Sequence, residues 1–138
     1  MGQADKASLS KYGKNFQEKF CQLLLQERTF CDQILEVFDI EFLELKYLRV
    51  FVSKILDYKE EFNIHPSFDT LATILRSDLE DENDAVQKQT RDFFARIYKS
   101  DMTVDGEEYI KKTSLDFCKK QKLKEAMLKS VKLLQNSS

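Results

Sequence analysis

Apolar residues recur along this chain with the period of a helix almost from end to end. The cleanest stretch spans about residues 42–62, where Leu45, Leu48, Phe51, Val52, Ile55, Leu56 and Phe62 follow the i, i+3, i+4, i+7 rule. Asn63, Ile64, His65 and Pro66 end it, because a residue before proline is pushed out of helical backbone. Upstream, Phe16, Phe20, Leu23 and Leu24 make one face of a helix opening at about Asn15, with Glu18 at capping-box spacing. A second helix over about 29–38 carries Phe30, Ile34, Leu35, Val37 and Phe38. Downstream, Ser67 is placed to cap a helix over about 68–76 with Phe68, Leu71, Ile74 and Leu75. A fifth helix, about 84–99, shows Val86, Phe93, Phe94, Ile97 and Tyr98.

The last helix, from about Asp105 to Gln135, organises the rest. No proline or glycine interrupts it after Gly106. On a wheel of about 100° per residue, Ile110, Phe117, Leu128 and Val131 fall on one side. Leu115, Leu123, Ala126 and Leu133 fall on another, with Tyr109, Met127 and Leu134 between them. Lys111, Cys118, Lys122, Glu125, Lys129 and Lys132 mark the polar side. So wide an apolar face calls for two things to bury against: its own chain and a second one.

The pattern predicts an all-α fold: a small helical head of about four helices, then a long antiparallel helical hairpin. The divisions expected are a flexible arm over about 1–14, the head over about 15–77, an acidic turn over about 78–83, the hairpin over about 84–135 and the start of a linker over about 136–138.

Composition sharpens this. At 138 residues the chain is the size of one domain. Three glycines and one proline leave little material for hairpin turns, which argues against an all-β fold. A net charge of -2 argues against wholesale nucleic-acid binding, but the last helix is rich in lysine. Three widely spaced cysteines, with no Cys-x-x-Cys, suggest reduced thiols in a cytoplasmic protein. No apolar run reaches the ~18–20 residues of a membrane span.

The search for chemistry finds little. Gly2, Gly13 and Gly106 are scattered, so no phosphate-binding loop forms. His65, the single histidine, reads as a turn residue and lacks partners for a metal site. The acidic pairs read as solvated faces or helix starts. Catalytic, cofactor and metal sites are therefore expected to be absent. The lysines of the last helix have two readings: attraction to phosphate or an acidic partner, or a solubilising face whose stems cover apolar neighbours.

The order of elements resembles the N-terminal domain of DnaB-type replicative helicases, in the divergent form found in phages. Phe20 to Leu25 followed by Phe30 to Phe38 is similar to the family's opening helices. Phe51 to Phe62, then Pro66 to Leu71, is similar to its helix, extended link and Thr-Leu helix. Tyr109 to Ala126 looks like a hairpin helix. The resemblance implies a collar in which hairpins pair into dimers and dimers assemble into a ring, with a primase or helicase loader docking on it and DNA engaged only through the parent helicase. It implies ATP and magnesium chemistry only in an ATPase half that this sequence lacks, and the host cytoplasm as the compartment. The interface candidates are Ile110, Leu115, Phe117, Leu123, Met127, Leu128, Val131 and Leu134, with Lys119, Lys122, Lys129 and Lys132 for acidic or phosphate contacts. Two alternatives stand beside this: an adaptor such as a primase's helicase-binding domain or a helicase loader, and a small nucleic-acid binder using the lysine face.

Overall fold

Phe20, Phe51 and Phe93 lie fully buried in one core, and each comes from a different helix. The computed structural model describes residues 7–100 and 102–136, and within them every regular element is helical. Six α-helices follow in order: α1 (Gly13–Gln26), α2 (Arg28–Leu35), α3 (Lys46–Phe62), α4 (Phe68–Ser77), α5 (Asp84–Lys99) and α6 (Glu107–Asn136). Short 3-10 turns at Leu9–Tyr12 and Ile40–Phe42 precede α1 and α3.

Local chemistry sets most of the boundaries. The side chain of Ser67 accepts the Thr70 N–H at the start of α4, and Asn83 accepts the Val86 N–H at the start of α5. Asn63 closes α3 in left-handed backbone at φ 56°, a conformation its short polar side chain tolerates. Gly106, at φ 73°, precedes α6, and its carbonyl accepts the Ile110 N–H. The helix thus starts after Gly106 rather than at Asp105.

Residues 8–14 are not the arm expected of them; residues 1–6 lie outside the described residues. Ser8 caps the first 3-10 turn, Leu9 is fully buried, and Tyr12 stacks on Phe16 with ring centroids 4.6 Å apart. The first helix begins at Gly13, two residues before Asn15.

The all-α expectation holds, but the packing of the last two helices differs from a hairpin beside a head. The main neighbours of α5 are α3 and α4, and those of α6 are α1 and α2. One core runs from Leu9 to Cys118. The physical reason is that the link before α6 is itself anchored. Val104 is buried, and Gln26 Nε2 donates to the Met102 carbonyl at 3.1 Å. That sends α6 across the far side of α1 instead of back along α5. The acidic turn before α5 is anchored too, by the buried Leu79.

Candidate docking surface

The two halves of α6 live in different surroundings. In the first half, Ile110, Ser114, Phe117 and Cys118 are buried. Phe117 meets Phe42 edge-on at 5.3 Å and Tyr12 at 6.4 Å. Lys111 pairs with Glu27 at 2.8 Å and Glu107 at 3.2 Å, pinning the helix at the α1–α2 junction; the Glu27 bond is the main cause raising its pKa. Beyond Gln121 the helix has run past the body. Leu123, Met127, Leu128, Val131, Leu133 and Leu134 are all about half exposed or more.

This divides the interface candidates. Ile110 and Phe117 are core residues, not interface, because they precede the point where the helix leaves α1 and α2. Leu115 is half-buried against the same core. Leu123, Met127, Leu128, Val131 and Leu134 are exposed, as are Lys119, Lys122, Lys129 and Lys132. Cys118, assigned to the polar side, is fully buried.

The wide apolar face is really two stripes in succession. At about 100° per residue, Leu123, Met127, Val131 and Leu134 fall within roughly 80° of each other. Their centre lies roughly 110° from the side that Ile110, Ser114 and Phe117 bury. Leu128 continues the buried side into open solvent. Between residues 119 and 136 the chain carries six lysines (Lys119, Lys120, Lys122, Lys124, Lys129, Lys132) and one acid, Glu125.

A second surface was not legible in the sequence. Phe62, read as part of the buried face of the third helix, is 56% exposed, and Ile64 is 60% exposed. Phe62 packs on Tyr58 with centroids 4.7 Å apart. They flank a groove of about 360 Å³ with Ile74, Asp57, Glu61 and Asp78 along its walls. The exposure arises because α3 outlasts its neighbours: its buried positions stop at Ile55. The signal was the acidic pair Glu60-Glu61 immediately before Phe62.

The other polar clusters hold the fold. His65 Nε2 sits 2.7 Å from the Leu25 carbonyl oxygen and its Nδ1 3.1 Å from Lys59 Nζ, which pairs with Asp32 at 2.9 Å. Tyr47 donates to Glu18 at 2.5 Å, and Arg96 pairs with the same carboxylate at 2.6 Å. Burial pushes the Cys21 thiol well up, Cys31 to about 11 and Cys118 to about 12, which leaves all three unreactive as thiolates. Among the described residues no group of three or more His, Cys, Asp or Glu side chains could hold a metal ion, and no helix is long and apolar enough to cross a membrane. Compared with family models, curated proteins and solved structures, the chain finds no match.

Proposed function

We propose that this chain is a non-catalytic assembly and partner-docking domain, of the kind that stands at the N-terminus of a DnaB-type replicative helicase. The observation that carries the reading is the distal half of α6, a helix with an apolar stripe that no element among the described residues buries. Exposed apolar patches of this kind mark contact sites. In a replication assembly such a helix would support oligomerisation and receive a primase or loader, while ATP binding and unwinding would belong to another domain. The order of elements, with its Thr-Leu helix after Pro66, supports the same family.

The test is sedimentation of the chain over a wide concentration range, with and without Leu123→Asp and Met127→Asp. Mass that rises with concentration, and falls back to the monomer in the variant, is the expected result. A monomer at every concentration, unchanged by the substitutions, would refute the reading.

The lysine density of the same segment favours one competing reading, a nucleic-acid binder. It is separated by its salt dependence, since each phosphate contact adds about 0.7–0.9 to the slope of log K against log salt. Fluorescence anisotropy with single- and double-stranded DNA reads this directly.

A further inference from the structure

The apolar stripe of distal α6 is bordered by lysine. Lys124 lies just beyond Val131 on one edge of the wheel, Lys119 lies beside Leu123 on the other, and Lys120 falls in angle between Met127 and Val131, upstream of both. Laid side by side, two copies of this stripe would bring Lys119, Lys120 and Lys124 of each to the same contact, while Lys122, Glu125, Lys129 and Lys132 lie on the opposite side of the helix. Like charges juxtaposed at an interface disfavour that pairing. The stripe therefore calls for an apolar surface with an acidic border.

The body of the same chain carries one. The groove between the end of α3 and α4 is lined by Tyr58, Phe62 and Ile74 together with Asp57, Glu61 and Asp78, and Lys54 is the only base among the described residues that line it. Phe62, Asp57, Glu61 and Asp78 are exposed. A groove edged by one charge and a helix edged by the other is the helix-in-groove arrangement of partner recognition. The helix's own chain cannot fill the groove, because α6 runs unbroken to Asn136 and leaves the body on the α1–α2 side. About 22 Å of helix, from Lys122 to Asn136 at ~1.5 Å per residue, projects to reach a neighbour.

We propose that distal α6 of one copy docks into the α3–α4 groove of a second copy, head to tail, with Met127 and Val131 facing Phe62 and the lysines facing Asp57, Glu61 and Asp78. This rests on the docking reading given above and names its partner. A contact between two different patches leaves a free groove on the copy that gives its helix and a free helix on the copy that gives its groove. Repeated, it closes into a ring or runs on as a filament, whereas pairing of like patches stops at two.

Two variants and their mixture test it. The tail variant carries Met127→Asp and Val131→Asp; the groove variant carries Glu61→Lys and Phe62→Lys. All four positions are exposed, so circular dichroism should show both variants folded. By sedimentation, the native chain should grow beyond a dimer with concentration, and each variant alone should remain a monomer. Mixed in equal amounts, the two should form a dimer and nothing larger, because the pair retains one intact helix and one intact groove. Raising salt from about 50 to 500 mM should weaken native assembly, since the edge charges are solvent-exposed. If the tail variant is a monomer but the groove variant assembles like the native chain, α6 remains a docking element and the head-to-tail contact is wrong. If the tail variant also assembles normally, both readings fail. A native chain that stays monomeric throughout overturns the contact as well.

Discussion

His65 Nε2 lies 2.7 Å from the Leu25 carbonyl oxygen, bridging the α3–α4 link to the end of α1. A carbonyl only accepts, so Nε2 carries the ring proton and Nδ1 presents its lone pair to Lys59 Nζ at 3.1 Å. Lys59 in turn holds Asp32 of α2. One neutral imidazole thus ties four segments together, and protonating Nδ1 would set a new N–H against an ammonium.

Acid should loosen this tie. Burial is the largest cause holding His65 below its ordinary 6.5, with Lys59 and Arg28 adding to it, while the Leu25 carbonyl and Asp32 pull the other way. A histidine with a depressed folded pKa contributes stability that is present above about pH 6.5 and is lost as pH falls through that value toward the folded pKa. Asp32 is also held low, chiefly by its bond to Lys59, so its own loss comes at more acidic pH, below about 3.8. Urea unfolding at pH 7.5 and 5.5 should show a lower midpoint at the acidic value. His65→Gln retains an N–H for Leu25 but cannot titrate, and should shrink the difference between the two.

Substitutions along α6 should divide at Gln121. Phe117→Ala removes a ring packed on Phe42 and Tyr12 and should cost about 3–5 kcal/mol. Leu128→Ala removes an exposed side chain and should stay within about 0.5 kcal/mol in the monomer. Thermal or urea melts at low concentration measure both. Similar losses at the two positions would mean that α6 is covered along its whole length.

That contrast also marks what was legible beforehand. Period and the Ser67 cap placed α4, and period alone placed α5, to within a residue; Ser67 and Asn83 both act locally, through backbone N–H groups three residues away, but only Ser67 was legible as a cap. The wheel could not show where α6 leaves the body, since that depends on how far α1 and α2 extend beside it. Ile110 and Leu128 share one side of the helix and differ only in what stands opposite. Leu9 escaped notice for a related reason: a lone apolar residue among polar ones has no period, and only the core shows what it fills. Phe62 was misread in the opposite sense, as a regular continuation of a stripe whose partners had already ended.

Tyr47 should remain a phenol well into alkaline solution. Burial and its hydrogen bond to Glu18 push its pKa far above the ordinary 10, in spite of the nearby Arg96. An acid with a raised folded pKa contributes stability that is present below about pH 10 and is lost as pH rises through the folded value. Ultraviolet titration at 295 nm should show one tyrosine of the five ionising only with unfolding. Tyr47→Phe should remove that component and cost about 0.5–1.5 kcal/mol at neutral pH.

The distal half of α6 should be the least protected helix of the monomer and should gain protection on assembly. Nothing in the described chain packs on residues 122–136 enough to bury them. Isolated helices shorter than about 12–15 residues are marginal in water, and most helical stability in proteins comes from packing an apolar face. Lys120 and Lys124 stand one turn apart, a like-charge pair that costs a few tenths of a kcal/mol, and Glu125 with Lys129 returns a similar amount. Propensity alone is therefore left to hold this segment. Amide hydrogen exchange at low concentration should show protection through Phe117 and Cys118, where Ile110 and Ser114 anchor the helix, and a steep decline after Gln121. At concentrations where the chain associates, amides from Leu123 to Leu134 should slow markedly, and those of the buried half should change little. The α3–α4 groove around Phe62 should slow in parallel, because the same contact covers both. Uniform protection along α6 at every dilution would show that the helix needs no partner, and would remove the reason for supposing that one docks there.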